Sequence, residues 1–271
     1  MDRDKLKFLR AKATEIRRSI VTMVHRANSG HVGGSLGAAD LLVALYHELM
    51  RHDSCRPDWP ERDRFILSKG HCSPVLYAVL ADCGYFPTED LETFRRPGSH
   101  LQGHPYQPKT PGVDASTGTL GLGLSTAVGM ALAAKLRHQP HNVYVLCGDG
   151  EIQEGQVWEA AMFASKYALD NVIAFVDRNR LQTDGDTEQI MPLDPLRPKW
   201  EAFGWHALEI DGHDFEAIVG AVTEAKAVQG RPSMVIANTI KGKGVSFMEN
   251  IAIWHGKPPD REAYDRAMAE L

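Results

Sequence analysis

The chain has 271 residues, of which 43% are hydrophobic and 24% are charged, a composition typical of globular proteins. Its net charge of -5 leaves no basic surplus to neutralise phosphates, which argues against nucleic acid as a partner. The four cysteines show no CxxC pairing and no metal-ligand spacing, so we expect reduced thiols. The charged N-terminal segment lacks an apolar signal core, and no apolar run reaches the ~20 residues of a membrane span. We therefore expect a cytoplasmic protein that binds no membrane.

The first half of the chain is predicted to be mainly helical. Apolar residues from Leu6 to Val24 recur at steps of three and four, which predicts an amphipathic helix that ends near Asn28-Ser29-Gly30. The elements expected next are a buried helix over 38–50, a surface loop over 51–63, a short strand over 64–68 and a helix after 71. The stretch 87–113 is rich in Pro, Gly and His and has little periodicity. A loop of that length inside a compact domain is usually functional or disordered, and its histidine and glycine clusters favour a function.

The second half of the chain alternates strands and helices. Short, nearly all-apolar runs rich in β-branched residues are typical of strands that are buried on both faces. The strands expected on this basis lie over 143–147, 172–176, 207–210 and 234–237. Helices are expected over 125–136, over 157–168 and after Asp214, which is suited to cap the helix that follows it. This order predicts a single α/β domain over residues 1–271, with a doubly wound, mainly parallel sheet and sites beyond the carboxyl ends of its strands.

Two of the predicted strands end in oxygen-bearing side chains. Gly148-Asp149-Gly150 follows the strand over 143–147, and Asn179 follows the next strand along the chain. Because adjacent parallel strands end at the same edge of a sheet, we expect Asp149 and Asn179 to lie close together. One carboxylate and one amide oxygen suit Mg²⁺ or Ca²⁺, and Mg²⁺ commonly completes its shell with water and phosphate oxygens. A solvated aspartate in a tight turn would explain the first motif alone, whereas the two motifs together favour a metal site.

The pair of motifs resembles the thiamine diphosphate (ThDP) binding fingerprint, and the run Gly148–Gly155 resembles its transketolase version. Further blocks resemble the transketolase family and occur in the family's order. They are Asn28-Ser29-Gly30-His31, Leu67-Ser68-Lys69-Gly70-His71, Gly103-His104-Pro105, Thr117-Gly118-Thr119-Leu120-Gly121 and Trp254-His255-Gly256-Lys257. The resemblance covers about residues 28–257 and implies the ThDP-binding fold of the diphosphate-binding (PP) domain.

The resemblance implies roles for individual residues around the cofactor. It implies that the Asp149 carboxylate, the Asn179 side chain and the Leu181 carbonyl bind Mg²⁺, with Ca²⁺ as the alternative, and that this ion bridges the diphosphate. The other cofactor contacts that it implies are His71, Gly118, Thr119, Leu120, Gly150, Lys241 and His255, with Asn179 shared with the metal. Lys241 also has a simpler interpretation, since Lys-Gly-Lys-Gly is equally typical of a solvated basic turn.

Three histidines match family residues that face the reacting sugar, namely His31, His104 and His255. An imidazole that titrates near neutrality can donate to a hydroxyl or carry its proton, so the residue type suits this role. Taken singly, a histidine in a Pro-rich loop such as His104 is more often simply a loop residue, and His31 also suits a capping position.

Glu154 and Glu159 lie near the start of a predicted helix. They are either acids favoured by the helix dipole or, as the resemblance implies, interface residues that link two active sites.

The resemblance also implies a partner. In the family, the glutamate that activates the aminopyrimidine ring of ThDP comes from a second α/β domain, and nothing in this sequence resembles that domain. We therefore expect a separate C-terminal, pyrimidine-binding transketolase subunit, and an α2β2-type assembly with two copies of each chain. The expected reaction transfers a two-carbon ketol unit from a ketose phosphate to an aldose phosphate, as in the pentose phosphate pathway.

Other functions stay open from the sequence. The chain could serve a 1-deoxyxylulose-phosphate-synthase-like enzyme or a specialised ketose transferase. A 2-oxo-acid dehydrogenase subunit shares the two metal motifs but is not expected to carry the blocks of His31, His71 and His104. A non-catalytic ThDP-binding protein is expected to have lost a histidine or a metal ligand.

Overall fold

A computed structural model describes residues 1–271, which form a five-stranded parallel sheet with helices on both faces and a separate two-stranded hairpin. The strands are β1 (Arg64–Leu67), β2 (Val143–Gly148), β3 (Val172–Arg178), β4 (Leu181–Gln182), β5 (Gly185–Asp186), β6 (His206–Asp211) and β7 (Ser233–Asn238). The helices are α1 (Arg3–Ala27), α2 (Val32–Gly37), α3 (Ala39–Ala44), α4 (Ser73–Asp82), α5 (Leu122–Leu136), α6 (Gly155–Lys166), α7 (Thr187–Ile190), α8 (Leu196–Ala202), α9 (Phe215–Ala227) and α10 (Arg261–Glu270). None of them combines the length and the apolar character that crossing a membrane requires.

The sheet order is β1-β2-β3-β7-β6, and every neighbouring pair is parallel. Strands β2 and β3 are buried along their whole length, because alternate side chains enter two different cores. Tyr144 and Leu146 join the larger core with α1 to α4 and α9, whereas Val143 and Val145 join the smaller core with α5, α6 and α8. The predicted doubly wound α/β fold is therefore confirmed.

Helix α1 shows how closely a strongly periodic segment follows its sequence pattern. Its buried face includes Leu9, Ile16, Ile20 and Val24, and it ends at Asn28, whose left-handed backbone (φ 46°) closes the last turn. The helix begins three residues before the predicted start, because the Asp2 carboxylate accepts the Lys5 N–H at 2.7 Å and caps it. Asp214 caps α9 in the same way, as predicted.

Shorter elements differ from the prediction. The expected helix over 38–50 is interrupted, with α3 ending at Ala44 and a π-helical turn following over Leu45–Leu49. Within the long loop 87–113 the only regular segment is a 3₁₀ helix at Thr88–Thr93. The hairpin of β4 and β5 had no counterpart in the prediction, because two-residue strands leave no periodic signal.

The register of the sheet brings the carboxyl ends of four strands to one edge. Leu67 pairs with Leu146, Gly148 with Asp177 and Arg178 with Asn238. The segments that follow β1, β2, β3 and β7 therefore leave the sheet side by side. They carry Lys69, Asp149, Asn179 and Lys241 respectively, which confirms that Asp149 and Asn179 follow adjacent strands.

Candidate active site

A cavity of about 510 Å³ opens at this edge of the sheet, and only two of its 20 lining residues are hydrophobic. The predicted site residues that line it are His31, His71, His104, Gly118, Leu120, Asp149, Gly150, Glu154, Asn179, Leu181, Lys241 and His255. Thr119 lies outside this lining and borders an adjoining cavity together with His104 and Gly118. Glu159 is exposed on α6 and lines neither cavity. Such a polar lining suits a charged ligand better than an apolar one.

Asp149 connects the loops after β2 and β3. Its Oδ1 accepts the Gly150 N–H at 2.8 Å, and its Oδ2 accepts the Arg180 N–H at 2.5 Å. Burial, followed by the nearby Asp177 carboxylate, raises the pKa of Asp149 to about 6 despite these hydrogen bonds. A buried carboxylate with a raised pKa is one that a nearby cation would stabilise.

Asn179, Leu181 and Lys241 line the same cavity. The Asn179 Oδ1 accepts the Leu181 N–H at 3.1 Å, which orients the side chain within its own loop. Lys241 is only 2% exposed, and its Nζ lies 2.6 Å from the Leu181 carbonyl oxygen and 3.0 Å from His255 Nδ1. The Lys241 ammonium thus contacts the carbonyl for which the resemblance implies a metal ion. Lys241 is therefore a buried residue that lines the cavity, and it does not lie in a solvated basic turn.

His31, His71 and His255 pack against each other on one side of the cavity. The centroid of the His31 ring lies 5.0 Å from that of His71 and 5.4 Å from that of His255, and the His71 and His255 rings stack at 5.2 Å. Burial lowers the pKa of His31 to about 4 and that of His255 to about 3, with nearby positive charges adding to the effect. Burial likewise lowers the pKa of His71 well below its ordinary value, so all three rings are neutral near pH 7 and able to donate and accept hydrogen bonds.

His104 approaches the same cavity from the loop that contains the Gly-His-Pro block. Its ring covers Gly118, where a Cβ atom would lie 3.1 Å from His104 Cδ2, and the backbone of Gly118 has φ +148°. A side chain at position 118 would therefore meet both a strained backbone and the imidazole ring. This close approach joins two of the predicted blocks into one wall of the cavity.

Two buried residues that were not predicted as functional hold the loops of the cavity together. Glu151 is 3% exposed and accepts hydrogen bonds from the Ser68 hydroxyl, from the Gly121 N–H at 3.0 Å and from the Gly148 N–H at 2.9 Å. Lys69 is 2% exposed and forms an ion pair with Asp177. Both Lys69 and Glu151 lie inside quoted sequence blocks, but only the tertiary contacts show what they do.

Lys69 and Asp177 stay charged within the protein. Burial alone would lower the pKa of Lys69, but the Asp177 carboxylate outweighs it and raises that pKa above the ordinary value. Burial would likewise raise the pKa of Asp177, but Lys69 and the Thr239 hydroxyl leave it below the ordinary value. The pair lies at the ends of β1 and β3, and Lys69 also lines the cavity.

The two predicted glutamates occupy different environments. Glu154 occupies the N-cap position of α6, without a capping hydrogen bond from its side chain, and lines the cavity. A Cβ atom on Gly121 would lie 2.9 Å from Glu154 Cβ. Glu159 lies one turn further on and is exposed. The structure therefore brings Glu154, but not Glu159, to the cavity of this chain.

The residues of the cavity fit a diphosphate together with a divalent cation. Asp149, Asn179 and Leu181 present hard oxygen atoms, and the Lys241 ammonium can face a phosphate. The Gln182 Oε1 and His31 Nδ1 atoms are buried without a hydrogen-bond partner, as expected of groups that meet a ligand. No three His, Cys, Asp or Glu side chains converge as a metal cluster, so a cation here relies on mixed oxygen donors.

Comparison with known proteins gives the same family. The family described as "Transketolase, thiamine diphosphate binding domain" matches residues 9–269. The chain is 51% identical over 263 residues to the 6-deoxy-6-sulfo-D-fructose transketolase subunit SqwG of Clostridium sp. (strain MSTE9), covering 97% of this chain and 96% of that protein. It is 43% identical to one subunit of the apulose-4-phosphate transketolase of Phocaeicola vulgatus, covering 97% and 93% of the two proteins.

Longer transketolases match over part of their length only. The human transketolase is 40% identical over the whole of this chain, which spans 43% of that protein. The crystal structure of the Campylobacter jejuni transketolase superimposes with a TM-score of 0.92 at 37% identity, covering 97% of this chain and 42% of the other.

The cavity, the fold and these relatives define a ThDP-binding domain of transketolase type. The chain belongs to the transketolase family and corresponds to its N-terminal, ThDP-binding part. It is a transferase subunit, because its full-length relatives are subunits of transketolases.

Proposed function

We propose that this chain binds the diphosphate end of ThDP and, with a separate subunit, transfers a two-carbon ketol unit from a ketose to an aldose phosphate. The observation that carries the proposal is the convergence of Asp149, Asn179, Lys241 and the histidine cluster in one polar cavity. The sites follow from this convergence and from the family. Asp149, Asn179 and the Leu181 carbonyl would hold a metal ion, which we propose to be Mg²⁺, with Ca²⁺ as the alternative.

The chain's own residues would bind and orient the cofactor and exchange protons with the sugar. ThDP, when bound, supplies the carbanion chemistry that breaks and forms the carbon–carbon bond. His71, Gly118, Thr119, Leu120 and Gly150 would contact the cofactor. In this proposal Lys241 and His255 approach its diphosphate end together, because their Nζ and Nδ1 atoms are 3.0 Å apart.

His31, His104 and His255 would face the hydroxyl groups of the sugar. Neutral imidazoles carry one donor and one acceptor nitrogen, so they can hydrogen-bond a hydroxyl and accept its proton in the same geometry. The lowered pKa values of His31 and His255 keep both rings neutral at the pH of the cell, which supports hydrogen bonding to the hydroxyl groups. The same values make the two rings weak bases, so His104 is the better candidate of the three for proton transfer. Glu154 would take part at the rim of the cavity, and Glu159 would act only at an interface between chains.

A partner subunit would complete the site. Several exposed apolar side chains lie in the cavity lining, at the start of α5, along α6 and after α7, and monomeric proteins rarely expose large apolar patches. They are Leu120 (39% exposed), Leu122 (46%), Met162 (56%), Phe163 (40%), Tyr167 (48%) and Met191 (57%). We propose that a pyrimidine-binding C-terminal transketolase subunit covers this surface and that the assembly is of the α2β2 type.

We further propose that the ketose donor is a specialised sugar. The relatives that align along their whole length are named for 6-deoxy-6-sulfo-D-fructose and apulose 4-phosphate, not for pentose phosphate sugars. The identity of 51% with the first of them favours an anionic ketose of that kind as donor.

The test is an assay of the chain mixed with its partner subunit, ThDP and Mg²⁺. Xylulose 5-phosphate, fructose 6-phosphate, 6-deoxy-6-sulfofructose and apulose 4-phosphate would be offered with an aldose phosphate acceptor. Ketol transfer with one of these donors is the expected result. Cofactor binding without turnover of any ketose would instead favour a non-catalytic ThDP-binding protein or a 1-deoxyxylulose-phosphate-synthase-like activity, which a pyruvate assay distinguishes. The cytoplasmic location stays a prediction for cell fractionation.

A further inference from the structure

A buried chain of polar contacts joins the first helix to the segment that carries Lys241. His213 follows β6 and its side chain is 11% exposed. Its Nδ1 lies 2.7 Å from Asp40 Oδ2, and its Nε2 accepts the backbone N–H of Ile240 at 2.8 Å. His213 does not line the cavity, so its effect on the site passes through Ile240.

The two contacts fix the tautomer of the His213 ring. A backbone N–H can only donate, so Nε2 carries the lone pair and the ring proton resides on Nδ1, which donates to Asp40. The Asp40 carboxylate also accepts hydrogen bonds from both Nη atoms of Arg17, at 3.1 and 2.6 Å. Burial raises the pKa of Asp40, but the hydrogen bonds of His213 and Arg17 outweigh burial and leave that pKa below its usual value. A charged Asp40 thus holds the imidazole in one orientation.

Ile240 connects this network to the cavity. It precedes Lys241, whose Nζ lies 2.6 Å from the Leu181 carbonyl and 3.0 Å from His255 Nδ1. On its other side, the Thr239 hydroxyl donates to Asp177. The segment 239–241 therefore has a fixed contact at each residue, and that of Ile240 depends on His213.

The approach of α2 leaves this segment little freedom. A Cβ atom on Gly37 would lie 2.9 Å from the Ile240 carbonyl oxygen, and the Gly242 N–H donates to the Gly33 carbonyl at 2.9 Å. The backbone on either side of Lys241 is therefore held against α2.

We propose that His213 is a positioning residue for cofactor binding. By accepting the Ile240 N–H it sets the path of the segment 239–241, and so places the Lys241 ammonium at the diphosphate end of the cavity. Arg17 and Asp40 orient the ring from behind. The inference rests on the proposed function only in assigning the cavity to ThDP.

Two substitutions separate the two hydrogen bonds of the ring. His213→Asn keeps a donor near the position of Nδ1 for Asp40 but does not reach Ile240, whereas the Gln oxygen of His213→Gln reaches the position of Nε2 and accepts the N–H. We expect His213→Asn to weaken ThDP binding in the presence of Mg²⁺ about tenfold, the effect of losing one hydrogen bond. His213→Gln should stay within about twofold of the wild type.

The measurements are calorimetry of ThDP binding to the chain with its partner subunit, and hydrogen–deuterium exchange of the segment 239–241 in the chain alone. His206→Gln is the matched control, since His206 lies at the other end of β6 and pairs with Glu224 at 2.9 Å. Melting temperatures of all variants report any general loss of stability.

Unchanged affinity and unchanged exchange in His213→Asn would overturn the proposal, as would equal losses in the Asn and Gln variants. Exchange that stays slow at Ile240 in His213→Asn would overturn it even where no cofactor binds. A complex that binds ThDP but transfers no ketol would contradict the proposed function alone, and the binding series would still decide the role of His213.

Discussion

Asp149 is the side chain that joins the end of β2 to the end of β3, through hydrogen bonds to Gly150 and Arg180. In the proposed site it is also the only carboxylate among the metal ligands. Asp149→Ala removes that charge and should weaken Mg²⁺-dependent ThDP binding by more than about a hundredfold, beyond what loss of an indirect contact causes. Calorimetry with and without Mg²⁺ measures this. Asp170→Ala at the other end of β3 is the control, and an affinity equal to wild type in Asp149→Ala would remove the metal assignment.

Glu151 is expected to matter through the three loops that it fastens. Its two oxygens accept from Ser68, Gly121 and Gly148, and in Glu151→Gln one oxygen becomes an NH₂ group that faces a donor. We expect the free energy of unfolding to fall by about 1–3 kcal/mol, because a buried donor loses its acceptor. Urea denaturation measures the change. A stability indistinguishable from wild type would show that these loops are held in another way.

The buried histidines make the stability of the chain depend on pH. Burial lowers the pKa of His31 to about 4 and that of His255 to about 3, from an ordinary value of 6.5. Between the lowered and the ordinary values the unfolded chain binds more protons than the folded chain, so the free energy of unfolding decreases as the pH falls from 6.5 towards 4.

The double variant His31→Asn, His255→Asn should lose part of this dependence. We expect its melting temperature to fall less steeply than that of the wild type over the same pH range, whereas His138→Asn, at an exposed position, should keep the wild-type slope. Differential scanning calorimetry at several pH values measures the slopes. Parallel curves for the double variant and the wild type would contradict the low pKa values.

At the scale of elements, the sequence was most informative where one pattern runs over many residues. Helix α1 and the strands β2 and β3 were predicted within a few residues, because a buried face or a fully buried strand leaves a long apolar signal. The hairpin of β4 and β5, in contrast, is defined by a single pairing of Leu181 with Asp186 and one of Gln182 with Gly185. Nothing in four residues distinguishes such a hairpin from a loop.

The same reasoning separates the predicted from the unpredicted parts of the site. Asp149 and Asn179 could be expected together because parallel strands end at a common edge. Glu151, Lys69 and His213 could not be assigned from the sequence, since apart from Gly148 the partners that define their roles lie 27 to 173 positions away. Contacts between residues that are distant in the chain leave no pattern in the local sequence.

Helix α5 offers a test of how tightly an element is packed against the site. A Cβ atom on Gly123 would overlap the Ser68 Oγ, whereas one on Gly129 of the same helix meets nothing within 4 Å. Gly123→Ala should therefore lower the free energy of unfolding by about 1–3 kcal/mol through overpacking. Gly129→Ala should raise it by about 0.5–1 kcal/mol, because alanine restricts the unfolded chain. Urea denaturation of both variants checks the pair, and equal effects would contradict the close packing of α5 against the end of β1.

At the scale of the whole molecule, the surface around the cavity has the features of an interface with another chain. It is open to solvent, its lining is polar, and the exposed apolar residues lie on α5, α6 and the loops that flank it. In longer relatives such as the human transketolase, this chain corresponds to 43% of the protein. Exposed apolar side chains near a polar site, in a chain that corresponds to part of longer relatives, favour an interface with a second subunit.

Activity should therefore depend on the ratio of two chains. When a fixed amount of this chain is titrated with its pyrimidine-binding partner in the presence of ThDP and Mg²⁺, we expect ketol transfer to rise and to reach a plateau at equal amounts of the two.

Met162 is an exposed apolar residue of α6 that lies outside the cavity lining. The charged substitution Met162→Glu should weaken docking of the partner and leave the site intact. We therefore expect the plateau to be reached at a higher partner concentration and to have the same height. The control is Leu136→Glu, because Leu136 is exposed at the C-terminal end of α5, whereas the cavity adjoins the N-terminal end of that helix. This substitution should leave the titration unchanged. Full turnover by this chain alone would contradict the need for a partner, and a lower plateau in Met162→Glu at saturating partner would place that residue in the site instead of the interface.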